Sequence, residues 1–174
     1  MTEVDANAPD NVPHGGDART MTRLTGWRRA LIVAGVIVAV DQATKAWIVA
    51  TRALGETDAV FPGIELNYVR NSGVAFGALA GGGTIVWLLT AVAISALIGY
   101  FALRADRLWL WLPVGAVIGG AVGNLADRAR DGAVIDFIDP IAWPAFNVAD
   151  VAIVIGIFGF VYVAEMAADN SDRE

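Results

Sequence analysis

Leu108 to Ala126 reads LWLWLPVGAVIGGAVGNLA, an uncharged run of nineteen residues that ends against Asp127-Arg128. Val148 to Ala164 reads VADVAIVIGIFGFVYVA and carries one acid, Asp150, close to its start. Between them lies DRARDGAVIDFIDPIAWPAFN, Asp127 to Asn147. A helix needs roughly 20 mostly apolar residues to cross the hydrocarbon of a bilayer. The two runs therefore read as crossings that meet a polar loop on one side of a membrane. Working outward, Ala30 to Ala50 and Thr84 to Leu103 satisfy the same requirement. The expected fold is an all-α membrane protein of four transmembrane helices.

Composition agrees: 56% of the 174 residues are hydrophobic and only 17% are charged, where a soluble domain has about a quarter charged. The net charge of −6 resides mostly in tails and loops and forms no basic stripe, which argues against a nucleic-acid partner. Zero cysteines exclude disulfides, thiolate nucleophiles and cysteine-ligated metals together. The only histidine, His14, lies in the N-terminal tail, so a zinc site lacks ligands and no metal or other cofactor is expected. No small-residue cleavage pattern follows the first span, which is read as a retained anchor.

The expected organisation is a disordered cytoplasmic tail over 1–29, a membrane domain over 30–168 and a second cytoplasmic tail over 169–174. Arg19, Arg23, Arg28 and Arg29 precede the first span, and Arg104 and Arg107 link the second to the third. This places those segments and both termini in the cytoplasm. The outer segments, Thr51 to Gly83 and Asp127 to Asn147, hold Arg52, Arg70, Arg128 and Arg130, a narrow bias of six against four. In the first outer segment, Ile64, Leu66 and Tyr68 alternate before Asn71-Ser72-Gly73 and Val74-Ala75-Phe76. The pattern predicts a small hairpin turning at Asn71 to Gly73. In the second, Asp139-Pro140 and Trp143-Pro144 disfavour helix and predict an irregular loop. The apolar run Ala133 to Ile138, with Asp136 at its centre, is expected to dock back on the bundle.

Three spans are interrupted by polar residues, all toward one end. Asp41 and Lys45 share a helix face at i,i+4, Asn124 and Asp127 close the third span, and Asn147 and Asp150 open the fourth. Successive spans alternate direction, so all these groups fall on one side of the membrane, with Asn71 and Asp136 in the loops of that side. Ionisable groups inside a span cost roughly 2.5–3.5 kcal/mol on insertion scales and usually face the bundle interior and mark function. Asp41 with Lys45 can neutralise itself as helix glue or touch substrate. Asp127 beside Arg128 reads as a charged pair. Asp136 and Asp150 have no neighbouring cation in sequence. Two such carboxyls brought together would share a proton near neutral pH, the device by which one carboxylate activates water while the other polarises a scissile carbonyl. Spacing alone leaves the choice among the acids open. Gly115, Gly119 and Gly123 recur at four-residue intervals and predict close helix packing.

At these residues the chain resembles the bacterial lipoprotein signal peptidases. The resemblance is carried by five motifs in order: Asp41-Gln42-Ala43-Thr44-Lys45, Asn71-Ser72-Gly73-Val74-Ala75-Phe76, Gly119 to Arg128, Val134-Ile135-Asp136-Phe137 and Phe146-Asn147-Val148-Ala149-Asp150. It implies that Asp136 and Asp150 are the catalytic pair of an aspartic endopeptidase. It implies further that Asn71, Gly73, Asn124, Asp127, Arg128, Asn147 and Ala149 surround the substrate, with Asp41 and Lys45 shaping the site. Other implications are a small extracytoplasmic β-cradle, a place in the bacterial plasma membrane, and an active site at its outer face. The implied substrate is a prolipoprotein whose cysteine already carries diacylglycerol, cut just before that cysteine. Membrane lipids and the cyclic peptide inhibitor globomycin are further implied partners. Two alternatives from the residues alone are a Ser-Lys peptidase built on Ser72 and Lys45 and a proton-coupled transporter. A transporter would spread its acids through the membrane depth.

Overall fold

The structure is a computed structural model that describes residues 15–72 and 83–171. In chain order its elements are α1 (Gly15–Thr51), β1 (Thr57–Phe61), β2 (Ile64–Asn71), α2 (Gly83–Arg104), α3 (Trp111–Asp131), β3 (Val134–Pro140) and α4 (Val148–Ser171). Of the described residues, Thr20–Thr51 and Val148–Met166 are helical stretches long and apolar enough to cross a membrane. The protein is thus mostly helical with one small sheet.

Helix α3 lies between α1 and α4, and its glycines explain how. A Cβ at Gly115 would stand 2.6 Å from the Ala30 carbonyl oxygen, and one at Gly119 would stand 2.8 Å from that of Ala34. On the other flank, a Cβ at Gly120 would collide with the Ala149 carbonyl. The glycine stripe therefore lets α3 touch both neighbours at backbone distance. At one end of the bundle Ala30, Phe101, Ala105, Leu110 and Val114 form an apolar core, with Trp27 edge-on to Phe101 at 4.7 Å. From Ala30 to Asp41 is eleven residues, roughly 16 Å of helix, and at that far end the interior turns polar. Asp41, Lys45, Asn124, Asp127, Asp136 and Asn147 are all buried, while Ile32, Val36, Ile155 and Phe158 are exposed. Apolar outside and polar inside is the arrangement a lipid solvent selects.

The sheet has order β1-β2-β3 and is antiparallel throughout. It departs from expectation in two respects. The hairpin turns at Pro62-Gly63, where Gly63 takes φ 85°, and joins β1 to β2. β2 ends at Asn71, and Gly73, Val74, Ala75 and Phe76, on which the turn and return strand expected after it fall, lie outside the described residues. The second outer segment is not wholly irregular: Val134–Pro140 is a strand, with Asp136 opposite Val69 and Pro140 opposite Ile64. Pro140 is compatible with this because it is the last residue of the strand, where a missing N–H costs no ladder bond.

Helix limits also differ from the apolar runs. Helix α1 begins at Gly15, inside the segment expected to be a disordered tail, and α4 continues to Ser171. Helix α3 starts at Trp111, three residues after the apolar run begins, because Trp109 adopts φ 66°. It ends at Gly132, whose φ of 72° and N–H to the Arg128 carbonyl form a left-handed cap. That cap swings the chain directly into β3.

Candidate active site

One turn of α1 separates Asp41 from Lys45, and both point toward α3. Lys45 Nζ stands 2.8 Å from Asp41 Oδ2, 2.7 Å from Asp127 Oδ2 and 3.0 Å from Asn124 Oδ1. An ammonium has three N–H groups, and all three are engaged. The side chains of Asp41, Lys45 and Asp127 are 0%, 1% and 0% exposed. Gln42 Nε2 bridges the two acids, donating to Asp127 Oδ1 at 2.9 Å and to Asp41 Oδ2 at 3.2 Å. The Ala149 N–H donates to Asp41 Oδ1 at 3.0 Å, tying α4 to α1. Gly123 makes room for this cluster, since a Cβ there would stand 2.6 Å from Asp41 Oδ2.

Asn124 connects the cluster to a second group of side chains. Its Oδ1 accepts from Lys45 and from Asn147 Nδ2 at 3.1 Å, and its Nδ2 donates to Asp150 Oδ1 at 2.8 Å. Asn147 immediately precedes α4 and makes a reciprocal cap with Asp150 at the third helical position. The Asp150 N–H donates to Asn147 Oδ1 at 3.0 Å, and the Asn147 N–H donates to Asp150 Oδ2 at 3.2 Å. The Asn147 side chain also donates to Asp136 Oδ1 at 2.7 Å. Asn71 Nδ2, at the end of β2, donates to Asp136 Oδ2 at 2.9 Å. Each of the four carboxylate oxygens of Asp136 and Asp150 thus receives an N–H, and Asn147 touches both acids.

Asp136 is 2% exposed. Burial pushes its carboxyl up to about 6 despite the Asn71 hydrogen bond, which favours the charged form. The negative charge of Asp150 raises it further, while Asn147 and the Lys45 charge oppose the rise. Asp150 is half-buried. A carboxyl raised in this way can hold a proton near pH 6 and pass it to a bound group.

The structure therefore brings Asp41, Lys45, Asn71, Asn124, Asp127, Asn147 and Ala149 into one connected network with Asp136 and Asp150. Gly73 lies outside the described residues. The expected pairing of Asp127 with Arg128 is incorrect. Asp127 points inward to Lys45, and its surface-side partner is Arg130, whose Nη2 lies 3.3 Å from Oδ1. Helical geometry gives the reason: residues three apart share a face and adjacent ones do not. Arg128 is half-exposed and makes no side-chain hydrogen bond or ion pair among the described residues. Gln42 and Arg130 were not singled out by sequence reasoning, although the i,i+3 offset of Arg130 from Asp127 was a usable signal. Lys45 directs its three N–H groups at Asp41, Asp127 and Asn124, and Ser72 is not among its partners.

Comparison with known proteins identifies the family. Residues 33–166 match the model of the signal peptidase (SPase) II family. A lipoprotein signal peptidase of Pelotomaculum thermopropionicum is 41% identical over 145 residues, covering 82% of this chain and 95% of its own. Another from Syntrophotalea carbinolica is 42% identical over 152 residues, covering 82% and 94%. Among solved structures, a bacterial membrane enzyme determined by the in meso method at 2.3 Å resolution superposes with TM-score 0.72 at 30% identity, covering 83% of this chain and 91% of the other. A second, at 1.9 Å resolution, gives TM-score 0.68 at 31% identity, covering 78% and 91%.

Proposed function

The chain belongs to the signal peptidase II family, and from that premise we propose that Asp136 and Asp150 are the carboxylate pair that cuts its substrate. As a member it is an aspartic peptidase of the membrane that removes the signal peptide from prolipoproteins. The observation that carries the residue assignment is the Asn147 bridge, which holds one oxygen of each acid from a single residue.

In the reaction, the ionised member of the pair takes a proton from a water molecule as that water attacks the scissile carbonyl. The protonated member donates to the carbonyl oxygen; as the tetrahedral diol collapses, the first acid gives the proton it took from water to the leaving amine and the second takes back the hydroxyl proton. Asn71, Asn124 and Asn147 hold the carboxylates in orientation, so no reorganisation is needed during the step. The Asp41–Lys45–Asp127 cluster is a positioning group: Lys45 acts on Asp150 through Asn124, and Asp41 acts on α4 through the Ala149 N–H. Arg128 and Gly73 complete the substrate surface, with Arg128 available to bind main-chain carbonyls of the peptide.

The membrane placement is proposed with the mechanism. Four helices, α1 to α4, span the bilayer as one peptidase domain over 30–168, with both termini in the cytoplasm and the acids at the outer face. A precursor cysteine carrying diacylglycerol is held by its acyl chains in the outer leaflet. Its scissile bond, just before that cysteine, is presented where the acids lie. Globomycin acts by occupying the same site. The test is cleavage in detergent of a diacylglyceryl prolipoprotein and of its unlipidated form by wild type, Asp136→Asn and Ser72→Ala. The proposal predicts loss of turnover in Asp136→Asn, retention in Ser72→Ala, and a strong preference for the lipidated precursor. Full activity in Asp136→Asn would remove the pair, and equal rates on both precursors would remove the lipid.

A further inference from the structure

The small sheet has two faces. Strand alternation puts Asn71 and Asp136 on one face, and Tyr68, Arg70 and Ile135 on the other, where Arg70 and Ile135 are paired. The second face looks onto the outer end of α1. Together with the last turn of α3 it encloses a groove of about 500 Å³, a size that holds small ligands.

The groove is amphipathic. Ala46, Val49 and Ala50 of α1 form an apolar wall, and Arg70, Arg130 and Asp131 supply the polar groups. Trp47 projects from the same turn of α1 and is 55% exposed. Tryptophan at the end of a membrane helix marks the lipid–water interface, so the groove opens at the depth of lipid headgroups.

Its charge is unbalanced. Arg130 is neutralised by Asp131, with Nε 2.8 Å from Oδ2, and its Nη2 also reaches the buried Asp127. Arg70 donates to the main-chain carbonyl of Asp131 at 2.8 Å and has no carboxylate partner among the described residues. One guanidinium therefore remains uncompensated beside an apolar wall. That combination suits a phosphodiester, which accepts forked N–H donors, attached to an acyl chain lying along α1.

We propose that this groove binds the phosphodiester of an anionic phospholipid of the phosphatidylglycerol class, with Arg70 as its ligand. Because Arg130 lines the groove and contacts Asp127, the bound lipid adjoins the chain from Asp127 through Lys45 and Asn124 to Asp150. The inference rests on the membrane placement proposed above and not on the peptidase chemistry, so a binding readout is independent of turnover.

The experiment is site-resolved photo-crosslinking. The purified protein in detergent receives phosphatidylglycerol or phosphatidylcholine carrying a photoreactive group next to the phosphate, and adducts are mapped by peptide. Phosphatidylglycerol adducts on the segments 46–52 and 68–70 should exceed those of phosphatidylcholine by about tenfold. Arg70→Gln should lower them by about tenfold, corresponding to ~1.4 kcal/mol, with partial rescue in Arg70→Lys. Adducts at the arginines of the opposite end, such as Arg28, should not change in Arg70→Gln, which shows that the variant is folded. Equal labelling by both lipids, undiminished labelling in Arg70→Gln, or displacement by millimolar inorganic phosphate would each overturn the proposal.

Discussion

Replacing Lys45 by Met keeps the length of the side chain and removes its charge, leaving Asp41 and Asp127 buried without the ammonium they share at 2.8 and 2.7 Å. Asp127 retains Gln42 and Arg130, and Asp41 retains Gln42 and the Ala149 N–H. Arg130 is the one full charge among these, and at 56% exposed it offsets only part of the loss at Asp127. Breaking a buried ion pair by removing one partner costs about 3–5 kcal/mol, because the remaining charge is uncompensated. With side chains 0–1% exposed, solvent does little to reduce that cost. In a protein of this size each kcal/mol moves the thermal midpoint by about 2–4 °C, so Lys45→Met should lower it by roughly 6–20 °C. The assay is thermal unfolding in one detergent at one scan rate, since membrane proteins commonly unfold irreversibly. Adding Asp127→Asn to Lys45→Met removes one stranded charge and should recover part of the loss. A midpoint within about 2 °C of wild type, or no recovery in the double variant, would refute the buried-triad reasoning.

Gly123→Ala places a methyl 2.6 Å from Asp41 Oδ2. It should cost about 1–3 kcal/mol in an unfolding assay and lower turnover more than Gly99→Ala, where a Cβ meets nothing within 4 Å. Asn71→Ala removes a hydrogen bond that favours ionised Asp136. The limb of the pH–rate profile near 6 should therefore move upward by roughly half to one pH unit, read from kcat/KM against pH. Asp136→Asn should be inactive yet more stable than wild type above pH 6. A carboxyl raised from its ordinary 3.8 to about 6 by burial favours the fold most below pH 4 and loses that contribution as pH rises through 6. The amide does not titrate, and the gain at pH 8 is at most about 3 kcal/mol, measured as a shift in thermal midpoint.

Much of this architecture is legible in the chain because a membrane imposes a coarse requirement. Long apolar runs must become helices, and a polar residue within them must face inward, so Asp41, Lys45, Asn124 and Asp150 could be gathered at one end by counting residues. The sheet was harder to read. A strand is defined by a partner far away in sequence, and nothing local to Val134–Pro140 announces pairing with Ile64–Asn71, while its proline argues the other way. Pro62-Gly63, where β1 turns into β2, is a weaker turn signal by residue type than Asn71-Ser72-Gly73. Arg128 was assigned to Asp127 by adjacency, whereas the helix face selects Arg130. Gln42, a neutral amide beside two charged groups, carries no charge signal of its own, although it bridges both acids. Family resemblance singles out Asp136 and Asp150 among the acids, and the Asn147 contacts to both emerge only in three dimensions.

If Asp136 and Asp150 act as one unit, initial rates of cleavage of a diacylglyceryl prolipoprotein by Asp136→Asn, Asp150→Asn and the double variant, each checked for an intact thermal transition, will show it. Groups acting together lose their effect together. Each single variant should lose at least about 10³-fold in turnover, and the double variant should be no slower than the singles. Near-wild-type turnover in either single variant, or losses that multiply in the double, would contradict their acting as one unit.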